Sequence, residues 1–148
     1  MKIFTVVGTR PNFIKIDKEL KQTLIHTGQH YSYQMSKAFF TERKLPRPRW
    51  NLGCKGNEVG KMIDKLRKIF RKEKPDIVLV FGDTNSSLAV ALAATYEGVK
   101  VAHIEAGMRS FRMDMPEEIN RTMIDKISTV RFCVNAQAVL NLLKEGIT

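Results

Sequence analysis

Three carboxylates, Asp83, Glu105 and Glu117, lie where predicted strands end or a predicted helix begins. Asp83 and Glu105 follow apolar runs typical of buried strands, and Glu117 follows Pro116, which suits a first helical turn. Ligands of open α/β sheets bind beyond the carboxyl ends of the strands. Carboxylates that share a cleft can be divided into acid and base forms by their surroundings. The pattern predicts proton-transfer chemistry, with the alternative that Asp83 and Glu117 only stabilise helix starts.

Cations accompany these carboxylates. Arg10 lies in the turn formed by residues 8–11, where a helix N-terminus and a guanidinium could receive a phosphate, although a simple turn with a surface arginine is the alternative. That turn matches neither the dinucleotide fingerprint nor the Walker loop, so no cofactor is expected. His30 and His103 have no metal-ligand spacing with Glu105, which favours hydrogen-bonding roles over a metal site.

Strand and helix patterns alternate along the chain. Apolar runs predict strands at residues 2–7, 24–27, 77–81, 100–106 and 130–134. Helices are predicted after Pro11, with a stripe of Phe13, Ile16 and Leu20, and at residues 31–40, 58–71, 88–94, 119–127 and 139–143. In the helix after Pro116, the predicted core stripe is Ile119, Met123 and Ile127. Residues 45–56 read as irregular surface chain. The fold class is therefore α/β, a doubly wound parallel sheet with Rossmann-like topology.

Composition limits the choice of function. A chain of 148 residues with 43% hydrophobic residues supports one domain with a substantial core. Without a long apolar run or a leader pattern, we expect a cytoplasmic protein without a membrane partner. The net charge of +10 is concentrated in residues 43–74 and is compatible with nucleic acid, an anionic membrane surface or a polyanionic small molecule. Because Trp50 and Phe70 are the only aromatic residues among these charges, a solvated helix face is the favoured interpretation.

Taken together and in order, five motifs resemble the N-terminal half of the non-hydrolysing UDP-N-acetylglucosamine 2-epimerases. They read GTRP from Gly8 with IK at Ile14 and Lys15, TGQH from Thr27, GDT from Gly82, HIEAGMR from His103 and PEEINR from Pro116. The resemblance covers essentially the whole chain. It departs from the family at Asn12, where the family usually has an acidic residue, and in a shorter segment between Lys15 and Thr27.

This resemblance implies the N-terminal domain of a GT-B fold like that of glycogen phosphorylase, with a UDP-sugar bound between two domains. It also implies removal of the C2 proton and expulsion of UDP to leave 2-acetamidoglucal, followed by their return to give UDP-N-acetylmannosamine. Asp83, Glu105 and Glu117 would then be the catalytic carboxylates, in roles that the sequence does not distinguish. The matched motifs would also supply the substrate contacts, namely Arg10, Lys15, Gln29, His30 and Arg109.

Members of that family are considerably longer than this chain. We therefore expect residues 1–148 to form a single Rossmann-like domain without the UDP-binding second domain, and to be weak or inactive as an epimerase alone. The expected partners are UDP-N-acetylglucosamine, a separate chain supplying the C-terminal domain and further copies of this chain. A nucleotide-sugar-binding module without turnover and a basic nucleic-acid-binding protein remain alternatives.

Overall fold

The computed structural model describes residues 1–29 and 45–148, and for Arg10 it describes the backbone alone. These residues form, in order, β1 (Ile3–Val7), α1 (Arg10–Ile14), β2 (Gln22–His26), β3 (Trp50–Asn51), α2 (Val59–Glu73), β4 (Ile77–Phe81), α3 (Asn85–Tyr96), β5 (Lys100–Ala106), α4 (Pro116–Ile127), β6 (Val130–Cys133) and α5 (Ala136–Lys144). The helix predicted at residues 31–40 and the predicted site residue His30 lie outside the described residues.

The strands pair in the order β3-β2-β1-β4-β5-β6, and every pairing is parallel. Parallel strands need crossover connections, which the intervening segments supply. The order of strands reverses direction between β1 and β4, which is the switch point where doubly wound sheets bind ligands. The predicted doubly wound parallel sheet is confirmed.

The core lies on both faces of this sheet. On one face, Phe4 and Val6 of β1 pack with apolar residues of α2, α3 and α4, including Met62, Phe70 and Ile124. A second cluster is formed by Val7, Phe13, Ile16, Leu24, Leu45 and Phe81. Burial on both faces explains why β4 reads as an uninterrupted apolar run. Among the described residues, no helix combines the length and apolar character that a membrane span requires.

Two local predictions are wrong. The first helix ends at Ile14, so Ile16 and Leu20 of the predicted stripe both lie outside it, because the chain must turn before β2 begins. That turn is held by Asp17, whose side chain accepts from the Glu19 N–H at 2.9 Å. Residues 45–56 are not wholly irregular surface chain, since Trp50 and Asn51 pair with β2. The segment is anchored by the buried side chains of Leu45, Leu52 and Cys54.

The predicted core stripe of α4 holds only at Ile127, which packs against the core. Ile119 and Met123 are 40% and 42% exposed, whereas the buried side chains of this helix are Glu118, Asn120, Ile124 and Asp125. Polar residues can be buried when they are hydrogen-bonded, and each of these three polar side chains has partners on other segments. The face of α4 that meets the sheet is therefore largely polar, and its partners surround the strand ends.

Candidate active site

A cleft of about 240 Å³ opens at the carboxyl ends of β4 and β5. It is lined by Gly82, Asp83, Glu105, Met108, Arg121 and Val134. Two of the predicted catalytic carboxylates therefore share one cleft. Because β4 and β5 are adjacent and parallel, residues that follow them in sequence must meet at the same edge of the sheet.

Asp83 is held by helix α4. Its carboxylate forms an ion pair with Arg121, and its carbonyl oxygen accepts from the Asn120 side chain at 2.9 Å. The alternative that Asp83 caps the following helix is wrong, because the N-cap is Thr84, whose hydroxyl accepts from the Ser87 N–H at 3.2 Å. The Asp83 carboxylate is thus directed to the cleft and to Arg121.

Glu105 occupies an irregular position at the end of β5. Its φ of +73° is in the left-handed region, and the pairing of β5 with β6 shifts register between Ile104 and Ala106. A non-glycine residue there costs roughly 1–2 kcal/mol. The carboxylate forms an ion pair of 2.7 Å with Lys15, which follows α1, and both side chains are about one-third exposed. The strained backbone re-aims a carboxylate towards the cleft, as bulges next to active sites do.

Arg121 connects two acidic residues, Glu118 at the start of α4 and Asp83 in the turn after β4. One end of its guanidinium contacts Asp83, and the other donates to Glu118 at 3.0 Å. Arg121 lines the cleft, although it was not among the predicted site residues. The available signal was its spacing, since a residue three positions after Glu118 lies on the same face of a helix.

Glu118 fixes the loop that borders the cleft. Its carboxylate accepts hydrogen bonds from the backbone N–H groups of Ser110 (3.0 Å) and Phe111 (2.9 Å) and from the Ser110 hydroxyl (3.0 Å). Burial alone would raise the pKa of Glu118, but the hydrogen bonds from Ser110 and Phe111 outweigh burial and hold the pKa below its ordinary value. Glu118 is therefore an ionised anchor for a loop containing Phe111 at a φ of +60°.

Glu117 has a different environment from its neighbour. Its side chain is exposed, and it has no hydrogen-bonding or ionic partner among the described residues. It occupies the first turn of α4, where negative charge is favourable, and it is not part of the cleft lining. Its catalytic role stays a prediction.

Arg109 is bound within the protein. Its guanidinium donates to Asp125 at 2.7 Å and makes two bonds to Glu145, at 2.7 and 2.8 Å, with only 2% of the side chain exposed. The Glu145 hydrogen bonds raise the pKa of Arg109 above its ordinary value. In this conformation the guanidinium joins α4 to the end of α5, and its role in substrate binding stays a prediction.

Gln29 contacts the start of α3. Its side-chain oxygen accepts from the backbone N–H of Ser86 at 2.9 Å and from the Ser86 hydroxyl at 2.6 Å, and the Thr27 hydroxyl lies 2.7 Å from the same hydroxyl. Gly8 must approach this group closely, since a Cβ there would lie 2.1 Å from Ser86 Oγ. The turns after β1, β2 and β4 therefore contact one another at one edge of the sheet.

Asn12 stands where the resemblance leads one to expect an acid. Its side-chain oxygen accepts from the N–H groups of Gly8 (3.3 Å) and Thr9 (3.2 Å) and from the Thr9 hydroxyl (2.9 Å). Its amide nitrogen lies 3.5 Å from the carbonyl oxygen of Phe81. An acid could accept the same hydrogen bonds, but only the amide also donates to β4.

The basic region at residues 43–74 is partly neutralised where the structure describes it. Arg67 and Arg71 both contact Glu97, and Lys61 contacts Glu58. Within residues 1–29 and 45–148, no three His, Cys, Asp or Glu side chains are grouped so that they could hold a metal ion. The reactive groups that these described residues bring together are therefore the carboxylates of Asp83 and Glu105 at the cleft, each paired with a cation.

Comparison with known proteins shows the family to which the chain belongs. The family model described as UDP-N-acetylglucosamine 2-epimerase matches residues 13–148. A Methanococcus maripaludis protein named UDP-N-acetylglucosamine 2-epimerase homolog is 49% identical over an alignment that covers 99% of this chain and 44% of that protein. The UDP-2,3-diacetamido-2,3-dideoxy-D-glucuronate 2-epimerase of Pseudomonas aeruginosa is 45% identical, with coverage of 99% and 45%.

A solved structure shows the same likeness. The UDP-GlcNAc 2-epimerase of Methanocaldococcus jannaschii, in complex with UDP-GlcNAc and UDP, superposes with a TM-score of 0.93 at 46% identity. The superposition covers 100% of this chain and 44% of that one. The chain thus spans less than half the length of these relatives, and the predicted correspondence with the N-terminal half of their fold is confirmed.

Proposed function

Because the chain belongs to the UDP-N-acetylglucosamine 2-epimerase family, we propose that it supplies the carboxylate-bearing wall of an active site that inverts C2 of UDP-N-acetylglucosamine. The observation that carries the proposal is the shared cleft of Asp83 and Glu105, each paired with a cation. A general base and a general acid within reach of one carbon are what an epimerisation needs.

The proposed reaction has two stages. A carboxylate takes the C2 proton, the C–H electron pair forms the C1=C2 bond, and the C1–O bond breaks so that UDP leaves with its electron pair. UDP and a proton then add back to 2-acetamidoglucal, with the proton arriving on the opposite face of C2. Two proton carriers on different sides of the sugar are therefore required. Asp83, Glu105 and Glu117 are the candidates for these roles.

Cations serve the second requirement, which is to stabilise the diphosphate as it leaves. Lys15 pairs with Glu105 at 2.7 Å, and because about one-third of its side chain is exposed it is accessible to a ligand. We propose that Lys15 and Arg10 hold the charged part of the nucleotide sugar, with Gln29, His30 and Arg109 as further predicted contacts. Substrate phosphate would compete with Glu105 for Lys15 and release that carboxylate to act as a base.

In this proposal residues 1–148, which span less than half of each relative, supply one wall of the site. We propose that a polypeptide equivalent to the rest of the relatives supplies the second wall, excludes water and binds uridine. Exposed apolar side chains on β6 and α5, including Phe132 (54%) and Leu143 (53%), support association with that polypeptide or with further copies of this chain. The two free cysteines are consistent with a reducing compartment such as the cytoplasm.

The sugar itself has a second candidate. The Pseudomonas aeruginosa relative, named for a diacetamido glucuronate, is 45% identical to this chain, close to the 49% of the first relative. Both sugar nucleotides named among these relatives are UDP-linked and are epimerised at C2. We therefore propose UDP-N-acetylglucosamine as the substrate and UDP-2,3-diacetamido-2,3-dideoxy-D-glucuronate as the alternative.

Proton NMR of each nucleotide sugar in deuterated water with the purified chain tests the proposal. We expect broadening of the UDP-N-acetylglucosamine signals that Arg10→Ala removes, with little formation of the epimer by the isolated chain. Asp64→Asn, at an exposed residue of α2 that does not line the cleft, is the control and should leave the broadening unchanged. If neither nucleotide sugar shows broadened signals, the proposal is contradicted. If the signals of the glucuronate broaden more than those of UDP-N-acetylglucosamine, the alternative substrate is assigned.

A further inference from the structure

His103 lies in the middle of β5, and its side chain is completely buried. The ring contacts two oxygen atoms. Nδ1 is 2.6 Å from Oδ1 of Asp125, and Nε2 is 3.0 Å from the carbonyl oxygen of Gly82. The first contact reaches α4 and the second reaches the turn that carries Asp83.

Both oxygens are hydrogen-bond acceptors. A carbonyl oxygen can only accept, and Asp125 already accepts from the Gly107 N–H at 3.1 Å and from Arg109 at 2.7 Å. Burial alone would raise the pKa of Asp125, but its hydrogen bonds with His103 and Arg109 outweigh burial and hold the pKa below its ordinary value. The Asp125 side chain is therefore a carboxylate, which cannot donate to the ring.

Two acceptors require two donors. A neutral imidazole has a single N–H, so it would direct a lone pair at one of the two oxygens. A ring with protons on both nitrogens satisfies both contacts. It also balances the cluster, because His103 and Arg109 then carry two positive charges opposite the two carboxylates of Asp125 and Glu145. A neutral ring would leave the cluster of Arg109, Asp125 and Glu145 with one excess negative charge.

We propose that His103 is a positioning residue, a buried imidazolium that ties Asp125 of α4 to the carbonyl of Gly82 and thereby fixes Asp83 at the cleft. Its catalytic consequence rests on the proposed function, whereas its protonation does not. His103 does not line the cleft and acts through the backbone next to Asp83.

The turn after β4 depends on such ties. Gly82 has a φ of +60°, and its N–H donates to the carbonyl of Ile104 at 2.9 Å while its own carbonyl accepts from His103. The carbonyl of Asp83 accepts from Asn120 at 2.9 Å. Loss of the His103 contact leaves a carbonyl without its donor and releases one of three hydrogen bonds that locate the Asp83 backbone.

The protonation of the ring is measured directly by ¹⁵N NMR of the unaltered chain at pH 7, with His103→Gln used to assign the signals. We expect both ring nitrogens of His103 to carry protons. His26 is the internal comparison, because burial lowers its pKa and should leave its ring neutral. A His103 ring with a single protonated nitrogen would overturn the proposal without bearing on ligand binding.

A charge-restoring pair of variants tests the coupling. His103→Gln leaves the cluster with one excess negative charge and Asp125→Asn with one excess positive charge, whereas the double variant is balanced again. We expect the double variant to unfold at a higher urea concentration than the less stable single variant. If the losses of unfolding free energy in the two single variants simply add in the double variant, the proposal that the His103 ring is an imidazolium is contradicted. If His103→Gln does not fold, the double variant and the NMR of the unaltered chain still decide the question.

The positioning role of His103 is tested by separate measurements. The Asp83 and Thr84 amide signals should shift in the His103→Gln variant and also in the double variant, because both lack the ring N–H that donates to Gly82, while His26→Gln leaves them unchanged. When the second wall of the site is supplied and the nucleotide sugar is epimerised, His103→Gln should lower kcat by roughly 10- to 100-fold with little change in KM. Unchanged Asp83 and Thr84 signals in a folded His103→Gln variant would overturn the positioning role.

Discussion

The carboxylate of Asp83 is ion-paired with Arg121, so the turn after β4 and helix α4 are joined at the lining of the cleft. Arg121 also contacts the buried carboxylate of Glu118. The Arg121 guanidinium thus binds both Asp83, which is proposed to be catalytic, and Glu118, which anchors a loop. The stability of this edge of the sheet and the proposed activity are coupled through these three side chains.

Replacing Arg121 should therefore be costly. Arg121→Gln removes the hydrogen bond to buried Glu118 and the partner of Asp83, and we expect the free energy of unfolding to fall by about 1.5–3 kcal/mol in urea titrations. Arg112→Gln is the control, because Arg112 pairs with Asp114 where both side chains are about two-thirds exposed. Its effect should be below about 0.5 kcal/mol. Similar losses in the two variants would contradict the structure.

The neighbouring glutamates of α4 should behave differently. Glu118→Gln replaces a carboxylate that accepts from Ser110, Phe111 and Arg121, and its amide nitrogen would face those donors, so we expect a loss of about 1.5–3 kcal/mol. Glu117→Gln should change the free energy of unfolding by less than about 0.5 kcal/mol, since Glu117 is exposed. Chemical denaturation of the two variants side by side measures the difference. A larger loss for Glu117→Gln would show that the two side chains are assigned to the wrong environments.

Gly107 is required for close packing of α5 on the loop after β5. A Cβ at Gly107 would lie 2.2 Å from the carbonyl oxygen of Ala138, and the φ of Gly107 is +77°. Gly107→Ala should therefore lower the thermal midpoint far more than Gly53→Ala. Gly53 also has a left-handed φ but has open space around its Cβ position, so it should lose only about 1–2 kcal/mol. Equal shifts in the two midpoints would mean that backbone strain, not the contact with Ala138, dominates.

Burial of His26 should make stability depend on pH. Burial lowers the pKa of His26 below 6.5, and both ring nitrogens lack a hydrogen-bond partner among the described residues. The unfolded chain therefore binds the proton first as the pH falls. Stability from this group is complete above about pH 6.5 and is lost as the pH falls towards the lower folded-state pKa, by at most about 1.4 kcal/mol per pH unit. Urea titrations between pH 7 and pH 5 should show this slope, and His26→Gln should reduce it. A slope unaffected by His26→Gln would assign the dependence to another group.

The parts of the fold that depend on apolar pattern could be predicted from the sequence. Strands β4 and β5 are apolar runs with glycine turns, and their observed bounds agree with the predicted residues 77–81 and 100–106. The meeting of Asp83 and Glu105 follows from the parallel arrangement of those strands. Strand β3 escaped prediction because its two residues lie between prolines and glycines and become a strand only by pairing with Ile25 and His26.

The orientation of α4 could not be predicted from the same pattern. Counting apolar residues selects Ile119 and Met123, but the buried face is decided by Glu118 and Asp125, whose partners are distant in sequence. Asp125 contacts His103, 22 residues away, and Arg109 contacts Glu145, 36 residues away. Burial of these groups is favourable only when the partners are in place.

The most direct test of the proposed role is epimerisation by a chimera in which residues 1–148 replace the matching part of the Methanocaldococcus jannaschii relative. Proton NMR in deuterated water would follow UDP-N-acetylglucosamine and deuterium incorporation at C2. We predict formation of the C2 epimer with deuterium at C2, lost in Asp83→Asn and Glu105→Gln and retained in Asp64→Asn. A folded chimera that binds UDP but neither exchanges the C2 proton nor forms the epimer would contradict the proposal that this chain carries the catalytic wall.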